Sequence, residues 1–209
     1  FGAIKMDIGP GIHLHVLREK TCRMTAECAR STRIGPAIPP QPSTSPNRMS
    51  ATAPSTPKAH QDRWQEIVDD PALRDLPYTV ETNERGQILL SPHSNRHSYR
   101  QAAVRDLLQK HAPDGLVVPE FALTTRQGVK SPDVVWMSAD RRQEMDATGD
   151  PATRAPQICV EIMSTSNTAA EMDEKRRLYR EIGAEEVWVV DTDGRIRFYG
   201  EEEMDASEV

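Results

Sequence analysis

The sequence predicts an α/β (α+β) domain in which a central mixed sheet is flanked by helices and preceded by an N-terminal hairpin. Three observations carry this expectation. Stretches with strand and helix periodicity alternate between residues 77 and 199, the pattern of one sheet covered by helices. Asn83-Glu84-Arg85-Gly86, Thr125-Arg126-Gln127-Gly128 and Asp193-Gly194 are turn signatures, each set between two strand-like runs. Gln157-Ile158-Cys159-Val160-Glu161-Ile162-Met163 is apolar on both alternating faces apart from Glu161, as expected of a central strand.

The elements follow in order. Trp64, Ile67 and Val68 share one face of a short helix beginning near Gln61, and Asp70-Pro71 ends it. Pro77 to Thr82 and Gln87 to Ser91 form a hairpin. From Asn95 to about His111, Tyr99, Ala102 or Ala103, Asp106 or Leu107 and Lys110 recur at helical spacing, and Pro113-Asp114-Gly115 stops the helix. Leu116 to Thr124 and Val129 to Met137 read as a second hairpin, followed by a polar, turn-rich excursion from Ser138 to Pro156. After the strand Gln157 to Met163, Thr168 to Ile182 is a helix with Gly183 at the position past its end, where a missing Cβ permits the left-handed conformation. Val187 to Val190 and Arg195 to Tyr199 complete the sheet, and Glu201-Glu202-Glu203 reads as a solvated tail.

Composition bounds the rest. A chain of 209 residues, 37% hydrophobic, can bury one ordinary core. Eight of its sixteen prolines fall in the first 57 residues, and Ile34 to Pro57 is dominated by Pro, Ser, Thr and Ala. Such a segment buries too little apolar surface to offset its ordering entropy. The expected organisation is therefore a disordered or irregular arm over 1–57 and a single domain over 58–209. Phe1 in place of Met suggests a fragment or a processed form. The arm holds seven Lys/Arg against three Asp/Glu, which leaves −10 on the remainder of a chain whose net charge is −6. The broad basic surface of a general nucleic-acid binder is absent, so nucleic acid would be met through local Arg/Lys clusters or metal ions. Three cysteines, no long apolar stretch and no secretory signal fit a reducing, cytoplasmic compartment and no membrane partner. His13, His15, Cys22 and Cys28 have spacing too wide for an ordinary zinc site.

Glu161 and Lys175 concentrate the chemistry. Each is a charge set among apolar positions, Glu161 in the central strand and Lys175 on the stripe Met172, Leu178 or Tyr179 and Ile182 of the next helix. Burying either alone costs several kcal/mol, on the order of the penalty for any lone buried ion, so a counter-charge, a metal or a substrate phosphate is expected nearby. Asp133 stands just inside another buried run, Pro132-Asp133-Val134-Val135-Trp136-Met137. A tight turn over Arg126 and Gln127 would set Glu120 opposite Asp133, and a slip of one residue would turn it to the other face. Carboxylate oxygens suit Mg²⁺ or Mn²⁺, and a neighbouring ammonium can orient a water or stabilise charge on phosphorus. Arg176, Arg177 and Arg180 lie on the more exposed side of the same helix as local positive charge.

These residues resemble a known family. Pro132-Asp133, Val160-Glu161-Ile162 and Asn167 to Tyr179 look like the Uma-type restriction endonucleases of the PD-(D/E)XK nuclease superfamily. The likeness extends to Arg63-Trp64-Gln65-Glu66-Ile67, Ser91-Pro92-His93-Ser94-Asn95-Arg96-His97 and Glu186-Val187-Trp188-Val189-Val190-Asp191, spanning about residues 62 to 200. It implies a restriction-endonuclease-like core and an Mg²⁺-dependent endonuclease acting on DNA. Asp133 and Glu161 match its two metal-binding acids. The lysine usually found two residues after the second acid would fall at Met163, and Lys175 matches a lysine displaced to the following helix. His97 matches a histidine at the start of the first core helix. A homodimer follows by analogy with enzymes that cut both strands.

The expected site is thus Asp133, Glu161 and Lys175, with Glu120 and His97 as additional members. The competing expectation is a catalytically silent nuclease-like domain that binds protein or nucleic acid. Under it, Glu161 with Lys175 is a buried ion pair, or Lys175 pairs with Glu171 one turn away. Asp133 is then a turn residue, Glu120 a strand-edge acid and His97 a polar helix start.

Overall fold

The computed structural model describes residues 56–73 and 76–208. The expectations for the arm, including those for His13, His15, Cys22 and Cys28, lie outside the described residues.

A six-stranded mixed sheet organises the domain. Its strands are β3 (Leu116–Pro119), β6 (Val134–Met137), β7 (Ile158–Ile162), β8 (Glu186–Val190), β9 (Ile196–Tyr199) and β10 (Glu203–Met204), in the order β10-β9-β8-β7-β6-β3. Only β7 and β8 run parallel, because the helix α4 (Ala169–Glu181) connects them as a crossover. Every residue of β6, β7 and β8 is buried, which accounts for their near-continuous apolar sequences.

The two faces of this sheet hold separate cores. Val134, Trp136, Ile158, Val160 and Ile162 meet Val104 and Leu108 of helix α2 (Asn95–His111) on one face. On the other, Val135, Met137, Cys159 and Val187 meet Tyr179 of α4. Glu161 alternates with Cys159 and so belongs to the α4 side. A capping box fixes where α4 begins: Thr168 accepts from the Glu171 backbone N–H while the Glu171 carboxylate accepts from that of Thr168. Glu171 is thereby committed to the cap rather than to Lys175.

Several elements differ from expectation. The inward stripe of α2 is Arg100, Val104 and Leu108, while Tyr99 is 75% exposed. Helix α1 (Pro57–Asp69) starts earlier, with Thr56 as its cap, and buries His60 and Ile67 while Val68 faces out. The excursion after β6 contains a further helix, α3 (Ala139–Asp146), capped by Ser138. Its eight residues are mostly charged, so Met145 and the buried Arg141, which donates to the Ala155 and Gly183 carbonyls, give no apolar period to detect. The acidic tail supplies β10, paired with β9.

The largest difference is that the second hairpin is split. Its outer part, β3 with β6, belongs to the main sheet, whereas its tip, β4 (Leu123–Thr125) with β5 (Gly128–Lys130), is a separate ribbon. Both parts keep one register, since Pro119↔Val134 and Leu123↔Lys130 continue the same pairing. Pro132 sits between them without an N–H to give the ladder, and Glu120 bends the partner strand at φ 49°.

A second hairpin packs on that ribbon. Strands β1 (Tyr78–Thr82) and β2 (Ile88–Pro92) pair antiparallel, and Thr82 of β1 accepts from the Val129 N–H (2.9 Å, Oγ1) and from Lys130 Nζ (2.9 Å, carbonyl O). Gly128, at φ +94°, permits this approach. A Cβ there would lie 2.5 Å from the carbonyl oxygens of Thr82 and Asn83.

Candidate active site

The strand register brings the acids together. Continued by one residue past Val134↔Val160, the β6–β7 ladder sets Asp133 opposite Glu161, and the β3–β6 ladder, continued past Pro119↔Val134, sets Glu120 opposite Asp133. The Glu120 N–H donates to the Asp133 carbonyl at 3.2 Å. Asp133 and Glu161 therefore lie side by side at one rim of the sheet, with the exposed Glu120 just past the end of the next strand.

Helix α4 brings the ammonium. Lys175 Nζ donates to both carboxylate oxygens of Glu161, at 3.0 and 3.1 Å, and to Glu81 Oε1 at 2.9 Å. One turn further, the Tyr179 hydroxyl donates to Glu161 Oε1 at 2.6 Å. Tyr179 and Lys175 are four residues apart, so one helix face presents both donors to one carboxylate. Met163, in the slot where the family pattern usually has its lysine, is half-buried, and its backbone N–H donates to Val190.

Asp133 is held from two directions. Its Oδ2 accepts from the Ile162 N–H at 2.6 Å, and its Oδ1 lies 3.0 Å from Nε2 of His97 on α2. Gln101, one turn along α2, donates to the Asp133 carbonyl at 2.8 Å. His97 packs edge-on against His93, with ring centroids 4.4 Å apart, and His93 Nε2 is hydrogen-bonded to Thr79 Oγ1 of β1. Glu120 is exposed, but its charge acts on His97 together with those of Asp133 and Glu161.

Electrostatics at this rim favour a cation. Burial above all pushes the Glu161 carboxyl up, to about 7, with the charges of Asp133 and Glu81 adding to the rise against Lys175 and the Tyr179 hydrogen bond. Burial opposes the Lys175 ammonium, yet Glu161 and Glu81 hold it charged well beyond the usual lysine range. Burial likewise lowers His97, but the hydrogen bond and charge of Asp133, with Glu161 and Glu120, reverse the direction and raise it. Burial keeps the Tyr179 hydroxyl protonated, so it stays a donor. The nearby Lys130 is drawn down by desolvation. Three carboxylates, Glu161, Glu81 and Asp133, thus act on one firmly charged ammonium, and Asp133 and Glu161 retain oxygen lone pairs beyond those their partners use. A hard divalent cation fits this donor set.

Two members were not singled out in the sequence. Glu81 alternates with Thr79 along β1 and reads as the wet face of an edge hairpin, although it accepts from Lys175 and from the Ser131 N–H at 3.1 Å. His93 precedes His97 by four residues, a His-x₃-His spacing with metal-ligand character that the sequence does show. The arginines of α4 lie toward the surface, each with a partner. Arg176 pairs with Asp173 and lies over the Tyr199 ring, Arg177 pairs with Glu174, and Arg180 donates to the Ala184 and Glu185 carbonyls. Nearby acids thus offset the charge of Arg176 and Arg177, while Arg177 itself stays exposed.

A mixed sheet flanked by helices, with acids and an ammonium at its rim, has the character of a restriction-endonuclease-like α/β domain. A family model described as Uma2, putative restriction endonuclease, matches residues 70–205, more than half of the chain. The protein belongs to this family. It is also similar to a solved structure described as a putative nuclease belonging to DUF820 from Anabaena variabilis ATCC 29413. That likeness has 18% identity and a TM-score of 0.48, covering 64% of this chain and 82% of the other. No curated protein sequence matches significantly. Among the described residues, no helix is long and apolar enough to cross a membrane.

Proposed function

We propose that the protein is an endonuclease that hydrolyses phosphodiester bonds in DNA and depends on a divalent cation, Mg²⁺ or Mn²⁺. The observation that carries this reading is the convergence of Asp133, Glu161 and Lys175 at one rim of the sheet, from positions 28 and 14 residues apart in sequence. Family membership supports the reaction class, and the surplus of buried negative charge supports a cation.

In this reading Asp133 and Glu161 hold the ion. When bound, it would lower the pKa of a water and offset charge at the phosphorus. Lys175 stays protonated beside Glu161, so it acts as a fixed positive donor toward the attacking water or a phosphate oxygen, not as a base. Glu81 and Tyr179 are positioning residues: one holds the ammonium, the other the Glu161 carboxylate. His97 orients Asp133, and Glu120 adds negative charge on the open side. A homodimer forms part of the proposal only by analogy with enzymes that cut both strands.

The test is cleavage of plasmid DNA with Mg²⁺ or Mn²⁺. Alanine at Asp133, Glu161 or Lys175 should abolish cleavage while circular dichroism still reports a folded domain. Full activity in all three variants removes the proposal. Cleavage by none of the proteins, with no change in melting temperature on adding either ion, favours a nuclease-like binding module.

A further inference from the structure

We propose that His93, His97 and Asp133 form a binding site for a borderline transition-metal ion, with Zn²⁺ preferred over Mg²⁺. The three side chains each offer one ligand atom, and these atoms all lie within 4.8 Å of one another. A tetrahedral ion with bonds of about 2.1 Å holds its ligand atoms about 3.4 Å apart, so the side chains would draw together by rotation as the ion binds. His97 Nε2 and Asp133 Oδ1, 3.0 Å apart and sharing a hydrogen, become neighbouring ligands once an ion takes the place of that proton.

Donor type decides the ion. Two imidazoles with one carboxylate form a borderline set that suits Zn²⁺ or other first-row ions, whereas Mg²⁺ prefers oxygen throughout. The surroundings are built as outer shells of metal sites are. Thr79 Oγ1 hydrogen-bonds His93 Nε2 and fixes its ring, the Ile162 N–H fixes Asp133 Oδ2, and Gln101 anchors the Asp133 backbone. The site lies near the start of α2, whose dipole opposes a cation, but the Asp133 carboxylate, 3.0 Å from the His97 ring, supplies the opposing charge within the site. Sequence spacing agrees, since His93 and His97 bracket the cap Ser94 as His-x₃-His.

This site shares Asp133 with the proposed catalytic ion but not Glu161, which separates the two in experiment. The chelator-stripped full chain is titrated with Zn²⁺ by calorimetry at about pH 7.5, alongside His93→Gln, Glu161→Gln and the control His111→Ala. The glutamine at 93 can still hydrogen-bond Thr79, so the hairpin contact is retained. We expect a Zn²⁺ site weakened at least about tenfold by His93→Gln and changed less than about twofold by Glu161→Gln or His111→Ala. Zinc X-ray absorption of the wild type at one equivalent needs no variant and should show two imidazole nitrogens at about 2.0–2.1 Å. Wild-type titration behaviour in His93→Gln, no Zn²⁺ uptake by the wild type, or a shell of sulfur or of oxygen alone would each overturn the proposal. Loss of Mg²⁺-dependent cleavage in Glu161→Gln with Zn²⁺ binding intact bears on the catalytic reading alone.

Discussion

Replacing Lys175 with Met removes the ammonium but keeps an unbranched, apolar stem of similar length on α4. The partner left behind is Glu161, whose side chain is 6% exposed. Removing one member of a buried pair costs about 3–5 kcal/mol when the other stays ionised. Glu161 has an escape, because its carboxyl is already pushed up to about 7 and can take a proton. The sign follows from linkage. An acid raised above its unfolded value of 4.5 binds a proton in the folded state while the unfolded state has released it. Stability therefore falls as pH rises from that unfolded value through about 7, and losing Lys175 extends the fall to higher pH. At about pH 6 the variant buries a neutral acid and loses only hydrogen bonds, roughly 1 kcal/mol. At about pH 8.5 the ionised acid has no counter-charge, and the loss grows to about 3 kcal/mol. Urea unfolding followed through the fluorescence of the buried Trp136 and Trp188 reads both values. A loss below about 0.5 kcal/mol at both pH values would refute the reasoning, since the ammonium and carboxylate would then not be coupled.

Three more outcomes are expected. Asp133→Asn keeps an acceptor for the Ile162 N–H, so it should lower stability by only about 1 kcal/mol while abolishing cleavage in a plasmid assay. Glu120→Gly should raise stability by about 1 kcal/mol in thermal melts, because Glu120 holds a left-handed φ of 49° that costs a side chain energy, yet it should slow cleavage by removing negative charge from the site. The rise in melting temperature produced by a fixed Mn²⁺ concentration should grow between about pH 6 and pH 8, since ion binding requires Glu161, raised to about 7, to give up its proton. A shift independent of pH would exclude Glu161 as a ligand.

The parts legible in the sequence are those set by local periodicity and short turns. The run from Ile158 to Ile162 and the Met172, Lys175, Tyr179 stripe declared a buried strand and the inward helix face. The turn at Arg126-Gln127 carried the register that sets Glu120 opposite Asp133. Less legible were features that depend on packing at long range. Glu81 meets Lys175 across 94 residues, and nothing in Tyr78–Thr82 distinguishes a half-buried, paired acid from a wet one. The inward stripe of α2 departs from its apparent period because Arg100 hides its charge by donating to the Thr192 carbonyl, so a charged residue sits where an apolar one is expected. Pro132 was visible, but its effect, dividing one long hairpin into a sheet edge and a separate ribbon, emerges only when the partner strand bends at Glu120.

Anomalous diffraction from crystals soaked in Mn²⁺ tests most directly whether Asp133 and Glu161 share an ion beside Lys175. The account predicts a peak bonded to one oxygen of each carboxylate, with Lys175 Nζ still in contact with Glu161. Strong density elsewhere and none between these two acids would contradict it.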